Sequence, residues 1–401
     1  MNLLALVWAF IRRRPLTWAF NVLTLSTGVA VVLALVLVNQ SVSDRFARDL
    51  AGIDLVIGAK GSPLQIVLSS VFQMDVPTGN FKLSQARAFA VNPLVAAAVP
   101  VSLGDNVHEA RIVGTTPDYA KLYGATLAEG RFWSRPMEAV VGASAARRLG
   151  FHPGTVFIGA HGLSGSSDMH RNSPYRVVGV LKPTGAVIDR LVITDLASVW
   201  QVHEHHDPNN HDEDEAQPHE REVTALLVKY RSTMGALMLP RQVKAVADLQ
   251  AAVPAVESAR LFNLIGVGAD VLRGVGAAIL GLAAIGFFIA LFGAVSQRRR
   301  DLALLRALGA KPSLLLAVVA IEAALMGLAG GVVGVVAGRG LAMVAAHISM
   351  AQASGPTLSS PPLGMSDATA LLAALLLALL ASLGPAVIAG RTDPARELAG
   401  A

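Results

Sequence analysis

Four stretches of this chain carry almost no charge over a length sufficient to cross a bilayer, and they constrain the fold more than anything else in the sequence. Residues 15–43, 274–297 and 368–390 contain no Asp, Glu, Lys or Arg, and residues 312–338 contain one, Glu322. A helix needs about 20 mostly apolar residues to span the hydrocarbon core, so four transmembrane helices are expected. Composition agrees: 53% of the 401 residues are hydrophobic and 15% charged, against about 25% charged in a typical soluble domain. The net charge of +5 resides in arginines at the edges of apolar runs. That is not the basic face a nucleic-acid binder needs, so no nucleic-acid partner is expected. With no cysteine, disulfides and thiolate metal sites are excluded.

The arginine clusters predict orientation. Arg12–Arg14 precede the first span, Arg298–Arg300 with Arg306 and Lys311 separate the second from the third, and Arg391 and Arg396 follow the fourth. All fall on one side of a four-span chain, and the positive-inside rule makes that side cytoplasmic. The expected layout is a cytoplasmic amphipathic entry helix (1–14), transmembrane helix 1 (15–40), an external domain (41–266), transmembrane helix 2 (267–297), a cytoplasmic helix (298–311), transmembrane helix 3 (312–338), an external loop (339–367), transmembrane helix 4 (368–390) and a cytoplasmic tail (391–401). A cleaved signal peptide is the alternative for the first span, but its apolar run exceeds the roughly 7–15 residues of a signal core.

The external segment mixes strands and helices. "ARIVGT" (110–115), "AVVGA" (139–143), "TVFIGA" (155–160), "YRVVGVL" (175–181), "RLVIT" (190–194) and "VTALLVKY" (223–230) read as strands, and "SAARRLG" (144–150) as a helix ended by Gly150. "GAKGS" (58–62) reads as a turn between a strand and the helix "PLQIVLSSVF". "PRQVKAVADLQAA" (240–252) is expected to be a helix opened by Pro240, and "AVESARL" (255–261) a strand. A mixed α/β domain follows. Within it, "HEHHDPNNHDEDEAQPHERE" (203–222) is a polar loop holding His203, His205, His206, His211 and His219 with eight carboxylates. Imidazole with carboxylate suits Zn²⁺. A solvated spacer and a zinc-binding loop are the two readings.

Three features of the spans carry candidate roles. Arg299, Arg300, Asp301, Leu302, Leu305, Arg306 and Leu308 form a short amphipathic helix. Leu302, Leu305 and Leu308 recur every three residues and are expected to line one face. That helix is either a topological anchor or a peg for a cytoplasmic partner's groove. Glu322 lies within a span, where an acid is a functional candidate or a structural hydrogen-bonding group. Gly327, Gly330, Gly331, Gly334 and Gly338 permit close helix approach, either inside this chain or to a second copy. No enzyme site emerges: there is no G-x-x-x-x-G-K-[ST], no H-E-x-x-H and no G-x-S-x-G.

The segment "RRRDLALLRALGAKPSLLLAVVAIEAALMGLAGGVVGVVAG" resembles the coupling helix and third span of FtsX/MacB-type ABC transporter permeases, the mechanotransmission (type VII) family. Asp301 and Glu322 match its acidic positions, and "AGRTDPARELAGA" is similar to its C-terminal motif. "ARIVGTTPDYAKLYGATLAEGRFW" and "YRVVGVLKPTGAVIDRLVIT" resemble the MacB-like periplasmic core domain. The resemblance implies four transmembrane helices with a large mixed α/β periplasmic domain between helices 1 and 2, in a bacterial inner membrane protein with both termini cytoplasmic. It implies a homodimer served by two copies of a cytoplasmic ABC ATPase of the MacB or LolD type, which binds ATP and Mg²⁺ while this chain binds no cofactor of its own. The implied function is a non-enzymatic permease subunit that moves a lipid-linked or periplasmic substrate, with a periplasmic protein or lipoprotein as a further partner. The alternatives are a signalling or scaffold protein that activates a periplasmic hydrolase, and a zinc-linked system using loop 203–222.

Overall fold

The computed structural model describes residues 3–50, 52–108, 110–161, 173–204, 220–351 and 363–391. Two compact units result: one holds Ser43–Ile265, the other Met1–Val42, Gly266–Ala351 and the C-terminal helix.

The chain begins with α1 (Leu3–Arg13) and α2 (Pro15–Asp49). Then come β1 (Leu55–Ala59), α3 (Pro63–Ser70), β2 (Phe81–Lys82), α4 (Leu83–Ala90), β3 (Val95–Val107), β4 (Ala110–Thr115), α5 (Asp118–Leu122) and β5 (Leu127–Gly130). Next are β6 (Glu138–Val141), α6 (Ala143–Leu149), β7 (Val156–Phe157), β8 (Ala160–His161), β9 (Tyr175–Leu181), β10 (Val192–Asp195) and α7 (Leu196–Glu204). The last are β11 (Glu222–Val223), β12 (Ala225–Tyr230), α8 (Thr233–Lys244), β13 (Leu249–Ala252), α9 (Pro254–Ser296), α10 (Arg299–Ala307), α11 (Pro312–Ala351) and α12 (Met365–Gly390). Among the described residues, four helices are long and apolar enough to cross a membrane: Pro15–Asp49, Val271–Ser296, Pro312–Ile348 and Met365–Gly390.

Between the first and second of these lies a mixed α/β unit built on one sheet in the order β13-β1-β12-β3-β4-β10-β6-β9-β5. The β4–β10 and β6–β9 pairs are parallel and the other neighbours antiparallel. Its central strands are buried on both faces, so their sequences read as continuous apolar runs rather than alternating ones. In β1, Val56 enters one core with Ile66, Val67 and Leu227, while Leu55 and Ile57 enter another with Leu239, Val243 and Leu249. Ser62 caps α3, its side-chain oxygen accepting the N–H of Gln65, and Pro63 occupies the first turn, where its missing N–H has no cost. Gly150 ends α6 in the left-handed conformation at φ 66°, which a glycine adopts without strain.

Two local expectations are overturned. Pro240 lies inside α8, not at its start; burying Gly235, Leu239 and Val243 on one face outweighs the lost hydrogen bond. Residues 249–252 then form β13, an edge strand pairing with β1. The segment 255–261 is helix, the first turns of α9. Pro254 at the first position fixes a helical φ, Glu257 lies in the first turn where the helix dipole favours an acid, and the Ser258 hydroxyl donates back to the Pro254 carbonyl at 2.7 Å. Of the segment 339–367, expected as an external loop, residues 339–351 are helical, because α11 runs on through Ala351. Arg339 does not end the helix, since Asp367 neutralises it through two hydrogen bonds of 2.8 and 2.6 Å.

A charged cluster fastens the end of α2 within the α/β unit. Arg45 and Asp49 are 2% and 3% exposed and pair at 3.6 Å. Asp49 accepts the N–H of Val187 at 2.6 Å, Arg48 donates to the Gly185 carbonyl, and Arg190 donates to the Phe72 carbonyl. Burial and the neighbouring Arg45 lower the Arg190 pKa to about 10. Asp189 holds the same turn by accepting from the backbones of Thr184 and Gly185.

Candidate functional site

The helix α10 is cut from its neighbours by local chemistry. The path from α9 turns at Gln297 and Arg298. At the far end Gly309 adopts φ 93°, with the Ala310 N–H bonded to the Leu305 carbonyl and the Gly309 N–H to the Arg306 carbonyl. That pattern is a Schellman cap. Pro312 then opens α11.

Its two faces have different surroundings, and here the expected grouping fails. Leu302 is 2% exposed and Ala303 fully buried. Leu302 belongs to the core of the span helices with Leu291, Leu315 and Val319, and Leu305 packs against it. Leu305 also packs against Val7, Phe10 and Val318, so α1 covers part of this face. Leu308, by contrast, is 84% exposed. At about 100° per residue, positions 302 and 308 point roughly 120° apart and cannot share a face. Leu302 and Leu305 hold α10 to its own protein. The open side carries Arg299, Arg300, Asp301, Leu304 and Leu308, of which Arg300, Leu304 and Leu308 stand four residues apart and line up. Arg306 points inward, donating to the Gly390 carbonyl at 2.8 Å.

Glu322 is 2% exposed and meets a cation. Arg298 donates to its two carboxylate oxygens at 2.9 and 2.7 Å. The same guanidinium lies 4.9 Å from the centre of the Phe10 ring. Removing one member of such a buried pair leaves a bare charge and costs about 3–5 kcal/mol. In the sequence alone Arg298 reads as topology charge. The available signal was Glu322 itself: an acid in a span requires a partner, and Arg298 stands at the turn one helix away.

The glycines of α11 pack inside this chain. A Cβ on Gly330 would lie 3.2 Å from the Leu25 side chain, on Gly334 2.8 Å from Val29 and 3.0 Å from the Ser26 carbonyl, and on Gly338 2.8 Å from the Ala30 carbonyl, all on α2. On a second side, Gly327 would meet Ala378 and Gly331 would meet Leu371, both on α12 and both at 2.7 Å. Of the two readings for this stripe, the intrachain one describes these five residues.

In the histidine-rich segment, His205, His206, His211 and His219 lie outside the described residues, and His203 falls in the last turn of α7. Where the segment ends, the Trp200 indole donates to the Glu222 carbonyl at 2.7 Å, Arg221 lies over the Trp200 ring, and Glu220 pairs with Lys82. Among the described residues no cluster of three or more histidine, aspartate or glutamate side chains is placed to hold a metal.

Comparison with known proteins accounts for nearly the whole chain. Residues 18–270 match the MacB-like periplasmic core domain, and residues 273–394 match the FtsX-like permease C-terminal region. No curated protein sequence matches. Among solved structures, the crystal structure of the periplasmic region of MacB from Actinobacillus actinomycetemcomitans is similar at 14% identity, covering 53% of this chain and 96% of that one with a TM-score of 0.35. The chain is therefore a multi-pass membrane protein of the ABC-permease type, and it belongs to the FtsX-like permeases that carry a MacB-like periplasmic core domain.

Proposed function

We propose that this protein couples ATP hydrolysis by a separate cytoplasmic ATPase to conformational change in its α/β unit, and so moves a lipid-linked or periplasmic substrate. One observation carries the reading: α10 is a short helix between the second and third membrane-spanning helices, packed inward through Leu302 and Ala303, with Arg300, Leu304 and Leu308 left open. Apolar anchors at this spacing, surrounded by charge, suit docking into a partner's groove. The arginine clusters favour an arrangement with α10 and both termini in the cytoplasm, in the inner membrane. The reading includes two copies of this chain and two of the ATPase, with ATP and Mg²⁺ held by the ATPase and no cofactor on this chain.

The test is reconstitution of the full chain with its ATPase in nanodiscs. Leu304→Asp and Leu308→Asp each place a charge in the contact, and each is expected to weaken ATPase association about tenfold or more and to reduce stimulated turnover in step. Unchanged association and turnover in both variants would remove α10 from the contact and this function with it.

A further inference from the structure

The turn between α9 and α10 is a mechanical weak point. Between Ser296, the last residue of α9, and Arg299, the first of α10, the helix is interrupted. A load applied to α10 can be dissipated there by bending unless something bridges the turn.

Two guanidinium groups supply the bridge, one at each end of α10. At the start, Arg298 grips both oxygens of Glu322 on α11 beneath the Phe10 ring of α1. At the end, Arg306 donates to the carbonyl of Gly390, in the last turn of α12. That carbonyl lies among the last four of its helix, which have no partner within it, and a cation there also suits the helix dipole. Arg14 on the other side of the turn donates to Gln297. The inner face of α10 thus meets α1 through Leu305, α11 through Glu322 and α12 through Gly390.

We infer that Arg298 and Glu322 are a positioning pair: they make α10 move as one body with α11, so that displacement of α10 enters the spans without being lost at the turn. This rests on the reading of α10 as the ATPase contact. The pair touches no ATP and makes no docking surface, since Arg298 is 8% and Glu322 2% exposed. Its effect therefore falls on transmission and leaves association alone. The bidentate geometry is what positions the helix. A lysine at 298 keeps the charge but is a point donor on a flexible stem and cannot hold both oxygens in one plane.

The experiment has two arms, both on the full chain in nanodiscs. In the first, Arg298→Lys and the uncharged double variant Arg298→Gln/Glu322→Gln are assayed with the ATPase. ATPase affinity is expected to stay at the wild-type value while stimulated turnover falls roughly two- to thirtyfold. The exchanged pair Arg298→Glu/Glu322→Arg is expected to recover part of the loss. In the second arm, spin labels on cysteines at Leu304 and Val332, both exposed in a chain with no native cysteine, report the α10–α11 distance. Wild type should give a narrow distribution and Arg298→Lys a broad one. This arm needs no ATPase, so it answers even if α10 proves to have another partner. If Arg298→Lys and the double variant keep both the narrow distribution and full turnover, the pair does not position α10. A loss of affinity matching the loss of turnover would equally overturn the proposal, because the pair would then act through docking.

Discussion

Asp49 accepts the backbone N–H of Val187 at 2.6 Å while pairing with Arg45 one helical turn behind it. One carboxylate thereby ties the last turn of α2 to the 3₁₀ turn Val187–Arg190 that leads into β10. Both charged side chains are almost wholly buried. Asp49→Ala would take from the buried Arg45 its carboxylate on the same helix, with Asp189 the remaining acid acting on it, and leave the Val187 N–H without this acceptor. The expected loss is about 3–5 kcal/mol, read as a lower unfolding midpoint of the purified chain. Asp49→Asn retains an acceptor for Val187 and should lose less.

The glycine stripe of α11 predicts a contrast between two substitutions of similar chemistry. Gly334→Val adds bulk where even a Cβ lies 2.8 Å from Val29, and should destabilise the helix bundle by about 1–3 kcal/mol. Gly281→Ala on α9 meets open space and should leave the midpoint unchanged. Thermal unfolding in detergent, followed by size-exclusion chromatography, separates the two.

Acid should weaken one particular joint. Glu138, at the start of β6, takes two hydrogen bonds from Arg131 at 2.5 and 2.8 Å and one from the Ser134 N–H at 2.8 Å. Chiefly through Arg131, its pKa is lowered from 4.5 to about 2. A folded-state pKa below the unfolded one means stability that is fully present above the ordinary carboxylate range and is lost as pH falls through the folded value. Wild type should therefore exceed Glu138→Gln in stability by a constant margin near neutrality. The margin should close between about pH 4.5 and 2, as unfolding midpoints at several pH values would show.

Orientation can be read by labelling. Single cysteines at His152 and Leu304, both exposed, should react with an impermeant thiol reagent on opposite sides of the membrane. His152→Cys should be labelled in intact cells with a permeabilised outer membrane, and Leu304→Cys only after lysis. The reverse pattern would invert the topology.

Calorimetry tests the histidine-rich segment as a zinc site. If the loop is a metal site, replacing His203, His205, His206, His211 and His219 together by asparagine should abolish zinc binding by the full chain. Affinity of the native chain should fall as pH drops through about 6.5. Equal binding by both proteins would reduce the segment to a solvated spacer.

The legibility of this molecule follows the physics of each part. The spans were readable because a bilayer tolerates so few charges that their absence is itself a signal. The strands at 110–115 and 175–181 are readable from their β-branched runs, and the one expected at 223–230 from its apolar run bounded by polar residues, of which 225–230 is the long strand β12. The long strand β3 was not: "VAAAVPVSLGDNV" holds three alanines, a proline and a glycine, and burial on both faces removes alternation. The segment 255–261 misled because a short mixed run has no period of its own, and its helix is set by Pro254 and by the 43-residue length of α9. In α10 the three-residue leucine repeat pointed to the right helix and the wrong face, because three residues fall short of a full helical turn. The Arg298–Glu322 bridge is half legible: Glu322 announces that it needs a partner, but Arg298, Arg299, Arg300 and Arg306 all stand nearby in sequence, and the fold is what selects Arg298.

The unbroken length of α9 also sets a limit on how this chain can change. Helical phase is cumulative: between Gly276 and Gly286 α9 packs closely beside α2, and one residue inserted between that contact and Ser296 would turn everything beyond it by about 100° and advance it about 1.5 Å. Within the unit of span helices, the turn bearing Arg298 would then face away from Glu322, and the bidentate pair would be lost. Loops absorb such insertions, but this helix has no position at which to do so. Changes near seven residues, close to two full turns, keep the phase but displace the far end by about 10 Å, so the stretch can drift in composition far more freely than in length.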